Sequence, residues 1–236
     1  MVVIINKKKF LILIAIVTIL SISTIYNYSI GAFKTMNEPY EKGNNEGSKY
    51  VAITCNVDWG NEYIEDMLNI LHDNNVHITF MVTGRWADKY PDLLLKIKKS
   101  GHEIGNHGFK HLDYAKLDYE NNYKEIEQAK QTIENIIGER TIFFSPPSGS
   151  FNKHTLEAAS NLDYITVKWN IDTADWLYKD NPTKIIERVK SKNMEDNSIV
   201  LIHPTKATVE TLESIIDIII DRGYKVGKLS NIFKVN

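Results

Sequence analysis

Residues 49–84 read KYVAITCNVDWGNEYIEDMLNILHDNNVHITFMVTG. The run KYVAITCNV is β-branched and apolar and is bounded by Gly60, which predicts a strand. Between Glu62 and Asn74, Ile64, Met67, Leu68 and Leu71 recur at i, i+3, i+4 and i+7, the spacing of a helix with one buried face. HITFMVTG then predicts a second strand. The rest of the chain repeats this alternation. Pro91 opens a helix (DLLLKIKKS) that stops at Gly101, EIGN is a short strand, and a long helix covers about Tyr119–Ile137. TIFFS, DYITVKW and SIVLIH read as strands, separated by helices near 152–160 and 182–192. A last helix, about 207–222, precedes YKVGKL. Strand and helix alternate over about 190 residues, so the sheet is mostly parallel and a closed or nearly closed (β/α) barrel is expected. An open doubly wound sheet is the alternative, but no strand is followed by a Gly-rich phosphate loop.

The 236 residues carry 28 Lys and Arg against 30 Asp and Glu, a formal net charge of -2, which excludes recognition of nucleic acid by bulk charge. The single cysteine, Cys55, excludes an internal disulfide framework and Cys-rich zinc modules. Lys7-Lys8-Lys9 precedes an apolar run from Phe10 to about Ile25 with no polar face. Residues 1–32 are therefore read as an uncleaved signal-anchor, with a cleaved peptide ending near Ser29–Ala32 as the alternative. Either way the domain is expected outside the cytoplasmic membrane, single-pass anchored or secreted. Residues 33–48 (FKTMNEPYEKGNNEGS) read as a polar tether, and 49–236 as one domain.

In parallel α/β folds chemistry collects where strands end, at the C-terminal face. There stand Asn56-Val57-Asp58-Trp59, His107 to His111, Ser145 to Gly149, Asp172 to Trp176, and His203. His107 and His111 are four apart, and on a helical turn both would project to one side; with Asp58 they would make a two-His, one-carboxylate set suited to a catalytic divalent ion. The competing reading is a pair of surface histidines. His203 is either a core histidine bonded to backbone or a general acid. Asp172 and Asp175 are turn caps, or they fix a histidine's tautomer. Trp59, Trp169 and Trp176 are core lids or platforms for a sugar ring. His72, His77, His102 and His154 lack partners at strand ends and read as structural or exposed, and Cys55 as a buried inert thiol.

His107-Gly108-Phe109-Lys110-His111, Pro146-Pro147-Ser148-Gly149, Asp172-Thr173-Ala174-Asp175-Trp176 and Ile202-His203, in that order, resemble the NodB homology domain, that is the polysaccharide deacetylases of carbohydrate esterase family 4. The likeness runs over about residues 49–233, and NVDWGNEY with FFSPPSGSF looks most similar to the YlxY-type, deacetylase-like subgroup of spore-forming bacteria. It implies a deformed (β/α) barrel that hydrolyses an N-acetyl carbon-nitrogen bond on an N-acetylated cell-wall polysaccharide, peptidoglycan- or chitin-like. It also implies a divalent metal, Zn²⁺ with Co²⁺, Ni²⁺ or Mn²⁺ as alternatives, held by an Asp and two His. On that pattern His107 and His111 are metal ligands, His203 is the acid with Asp172 and Asp175 behind the catalytic group, and Trp59, Pro147, Ser148 and Trp176 meet substrate.

Two departures stand out. The family's first motif carries two adjacent aspartates, base and then metal ligand; aligned without gaps these fall on Asn56 and Val57. An Asp-x-Asp pattern places Asn56 at the base and Asp58 on the metal, or Asp58 serves as base in its stead. An amide cannot take up a proton at neutral pH. The arginine that orients the base is replaced by Ser145. The expectation is a deacetylase of reduced activity; the alternative is a weak or inactive glycan-binding relative with a role in the cell wall or spore.

Overall fold

The computed structural model describes residues 38–235. The expected anchor, 1–32, lies outside the described residues, among which no helix is long and apolar enough to cross a membrane.

Eight strands form one sheet: β1 (Tyr50–Val57), β2 (Thr79–Val82), β3 (Glu103–Asn106), β4 (Phe143–Phe144), β5 (Ile165–Thr166), β6 (Ile171–Asp172), β7 (Ile199–Ile202) and β8 (Lys225–Gly227). Their order is β5-β4-β3-β2-β1-β7-β6, with β8 also on β1, and every ladder is parallel. No ladder joins β5 to β6 among the described residues, so the sheet curls into a barrel with one open seam, the deformed (β/α) barrel expected. The strands expected from TIFFS and DYITVKW shrink to two-residue ladders. Pro146 and Pro147 have no N–H with which to extend the first.

The helices cover the outside: α1 (Ile64–Asp73), α2 (Gly84–Lys89), α3 (Pro91–Lys99), α4 (Tyr119–Ile137), α5 (Lys153–Asn161), α6 (Pro182–Ser191), α7 (Lys206–Asp221) and the short α8 (Leu229–Ile232). β1 is buried on both faces. Val51, Ile53, Cys55 and Val57 belong to the outer core beneath the helices, whereas Ala52 belongs to the inner core with Met81, Phe143, Val167 and Ile199. Side chains alternate along a strand. Thr54 and Asn56 therefore follow Ala52 inward, and Asn56 reaches the C-terminal mouth. The opposite end is closed by α8: the Leu229 N–H donates to Thr79 Oγ1 (2.9 Å), and Thr79 Oγ1 donates to Glu103 Oε2 (2.6 Å).

Residues 38–48, within the expected tether, are bonded into the fold. Tyr40 makes a parallel bridge with Val167 beside the seam, its N–H donating to Thr166 O (2.9 Å) and its carbonyl accepting from Lys168 N (2.7 Å). Its ring meets Phe233 edge-on with centroids 5.3 Å apart. Gly43 lies so close to α8 that a Cβ would sit 2.1 Å from the Ile232 carbonyl oxygen. The polar composition of this stretch reflects its work as a strap: Asn45 donates to Asn231 O, and Asn197 donates to Asn45 O.

Two outcomes follow. Tyr40→Ala removes the wedge at the seam and is expected to cost about 2 kcal/mol, lowering Tm by about 5 °C; a thermal melt identical to wild type would show that the strap is ornamental. Buried His102 accepts the Ile78 N–H at Nδ1 (3.2 Å), and burial, followed by neighbouring His77, holds its pKa down at about 4. The unfolded chain takes up that proton near about pH 6.5. Stability present above pH 6.5 is therefore lost as pH falls toward 4, with a slope of at most about 1.4 kcal/mol per pH unit from this group. Urea titrations at pH 7, 5.5 and 4.5 should give a shallower decline for His102→Asn, and an equal decline would mean that native His102 is already charged.

Candidate functional site

Loops at the C-terminal mouth surround a cavity of about 370 Å³. Asn56 from β1, His107 and His111 from the loop after β3, and His203 after β7 all line it. So do Ser148, Asp172, Trp169 and Trp176, with Trp59 at the rim. Sequence reasoning from strand ends thus brings together most of its candidates. Pro147 is buried beneath its loop and does not line the cavity.

His107 and His111 do not share a helical turn, as their spacing suggested. They sit in an irregular loop in which Gly108 (φ 73°) and His111 (φ 56°) are left-handed. Gly108 is required there, because a Cβ would lie 2.1 Å from the Tyr114 hydroxyl. Asn106 ties down the start of the loop, its Nδ2 donating to Ile126 O and Tyr164 Oη (both 3.0 Å) and its Oδ1 accepting from Gly108 N (2.7 Å). The two rings end with centroids 5.3 Å apart. His107 Nδ1 donates to Ser145 O (2.7 Å), since a carbonyl can only accept, leaving the Nε2 lone pair for the cavity. Burial, and then His111, lower the His107 pKa to about 3, so it is neutral at any physiological pH. Ser145, at the place of the missing arginine, contributes a backbone carbonyl that sets this tautomer.

His203 is held from behind. Its Nδ1 donates to Asp175 Oδ1 (2.8 Å), and Asp175, 1% exposed, also accepts from the His203 and Trp176 N–H groups and from Thr208 Oγ1 (2.6 Å). Asp175 is therefore a positioning residue, and His203 presents Nε2. The Trp59 ring stacks on His203 with an interplanar angle of 4° and centroids 6.1 Å apart. Trp59 and Trp176 are 43% and 48% exposed, unusual for tryptophan and suited to a sugar face. Asp172 Oδ1 accepts the Ala174 N–H (2.7 Å), capping a turn whose Ala174 is left-handed (φ 54°). Cys55 points into the outer core, where burial, with Asp175 nearby, pushes its thiol up and keeps it inert.

β1 departs from expectation. Asn56 Oδ1 is buried without a hydrogen-bond partner. Val57, the gap-free counterpart of the metal aspartate, faces the helices. Asp58 does not line the histidine cavity but an adjoining one, also of about 370 Å³, with Trp59, Arg85 and Lys89. Its Oδ1 accepts from Arg85 Nε (2.7 Å) and Thr83 Oγ1 (2.8 Å), and its Oδ2 pairs with Arg85 Nη2. Burial alone would raise the Asp58 carboxyl; the Arg85 and Thr83 hydrogen bonds and the Arg85 charge outweigh it and hold the group below the ordinary carboxylate range. The expected Asp58–His107–His111 triad is not assembled, and among the described residues no three His, Cys, Asp or Glu side chains are gathered to hold a metal ion. The donor set as placed does not fit a divalent ion, because a guanidinium already occupies both oxygens of Asp58.

Arg85 and Thr83 were absent from the sequence candidates. The signal was available: Thr83-Gly84-Arg85 follows β2, a strand end like those that yielded the other candidates.

Residues 43–167 match the polysaccharide deacetylase family. YlxY of Bacillus subtilis is 40% identical over 195 residues, 83% of this chain, and the match spans 60% of its own length. A peptidoglycan-N-acetylglucosamine deacetylase of Bacillus cereus is 30% identical, over 83% of this chain and 92% of that one. Among solved structures, BA3943 of Bacillus anthracis, described as a CE4 family pseudoenzyme, superposes with a TM-score of 0.79 at 32% identity, covering 85% of this chain and 71% of its own. Ordered motifs, curled parallel barrel and these matches agree: the chain belongs to the polysaccharide deacetylase family.

Proposed function

We propose that this domain binds N-acetylated cell-wall glycan at the barrel mouth and deacetylates it little or not at all. One observation carries the reading: the cavity with the three imidazoles has the Asn56 amide at the end of β1, while Asp58 faces Arg85 next door. An amide can donate to an acetyl carbonyl but cannot deprotonate water. Asp172, the carboxylate lining the cavity, spends Oδ1 on its own turn. The half-exposed rings of Trp59 and Trp176, which line the cavity, offer sugar rings two aromatic faces. The likeness to a protein described as a pseudoenzyme supports the reading, and the peptidoglycan deacetylase relative supports the glycan class. In this reading the Phe10–Ile25 run is an anchor that holds the domain outside the membrane, beside its polymer. A second reading, slow deacetylation with a divalent ion such as Zn²⁺, is favoured by the Asp175–His203 pair, whose geometry suits protonation of a departing amine.

The test uses the full-length chain with chito-oligosaccharides and peptidoglycan fragments. Trp fluorescence and calorimetry should register saturable binding, weakened by about tenfold in Trp59→Ala and again in Trp176→Ala. Absence of any glycan binding ends the proposal. Acetate release, with and without added Zn²⁺ or Co²⁺, should equal that of His203→Ala; release that depends on His203 would establish the slow deacetylase in its place.

A further inference from the structure

Arg85 decides where Asp58 points. We propose that the Arg85 guanidinium stands in for a divalent cation as the counter-charge of Asp58, and so keeps this carboxylate from joining His107 and His111 in a metal site.

The pairing is bidentate, Nε on Oδ1 and Nη2 on Oδ2, the geometry in which a guanidinium fork matches a carboxylate, and Thr83 Oγ1 adds a third donor to Oδ1. The Asp58 side chain is only 9% exposed, while the Arg85 side chain that covers it is 51% exposed. Arg85 is itself fixed at its base. It lies in the first turn of α2, which Thr83 caps by accepting the Trp86 N–H (3.3 Å). Gly84 is wedged where a Cβ would meet Phe109 Cδ2 at 2.3 Å and Ala129 Cα at 2.9 Å. The Gly84 N–H donates to Gly108 O (2.9 Å), and the Arg85 N–H to Phe109 O (3.1 Å). The start of α2 is thus bonded to the loop that carries both histidines, so the backbone bearing the cation is tied to the backbone bearing the imidazoles.

The histidine half of a site is in order. The two rings meet edge-on, and His107 turns Nε2 to the cavity. His111 is near enough for its charge to bear on Asp58. Asp58 and the imidazoles line adjoining cavities that share Trp59, and the carboxylate is held on the Arg85 side. Two neutral imidazoles alone bind a divalent ion far more weakly than two imidazoles with a carboxylate.

Co²⁺ alone is titrated into the full-length chain and followed by calorimetry and visible absorption. Arg85→Met keeps the aliphatic stem and removes the charge; it should bind Co²⁺ at least about tenfold more tightly than wild type. The gain should vanish in Arg85→Met/Asp58→Asn and in Arg85→Met/His111→Ala. In the wild-type background Asp58→Asn should leave Co²⁺ affinity unchanged. No gain in Arg85→Met, a gain that survives loss of Asp58, or a tenfold loss in Asp58→Asn alone overturns the proposal. The last measurement needs no change at Arg85, so a poorly folded Arg85→Met still leaves it decisive. Glycan binding is read without metal, so this inference and the proposed function fail independently.

Discussion

Everything at the mouth depends on the side-chain parity of one strand. β1 is laddered to β2 on one edge and to β7 on the other, with Thr54 opposite both Thr79 and Leu201. In-register parallel neighbours share a face. The inner face is therefore set jointly by β1, β2 and β7, and a one-residue slip of β1 would send Val51, Ile53 and Cys55 into the barrel and Asn56 out beneath the helices. That lock makes Asn56, and not Val57, the residue that meets the cavity. No neighbour on the same strand can take the place of residue 56 at the cavity without breaking the sheet.

Around this fixed point the mouth is built by indirect support. Asn106 and Gly108 set the histidine loop, Ser145 O sets the tautomer of His107, and Asp175 with Thr208 sets His203. His111, Ser148 and Ala174 all hold left-handed backbone in loops at this end. Non-glycine residues take that conformation at a cost of about 1 kcal/mol or more, and surrounding packing must impose it. The loops thus present the imidazoles to the cavity, while the Asp58 carboxylate is paired with Arg85 in the adjoining one.

Much of this was legible in the sequence. The apolar spacing of Ile64, Met67, Leu68 and Leu71 and the β-branched run before Asp58 announce a parallel α/β fold because burial imposes those periods. Strand ends named most of the cavity's residues for the same reason. What stayed hidden were relations between distant segments. The spacing of His107 and His111 suggested a helix, but Gly108 packed on Tyr114 makes a loop. Residues 38–48 looked like a tether because their composition is polar, yet they bond to Thr166 beside the seam, to Asn197 and to Asn231 on α8. The pairing of Asp58 with Arg85 joins the ends of two strands, and no local pattern encodes it.

The strap has a mechanical side. Whatever tension reaches the domain through its N-terminal chain enters the barrel at Tyr40, where one residue bridges Val167 through two backbone hydrogen bonds. Behind that contact the load passes to the edge-on Tyr40–Phe233 pair and to α8, which closes the floor of the barrel. Part of any load is thereby led to the floor of the barrel, away from the histidine cavity, although Val167 stands only two residues before Trp169 at the mouth.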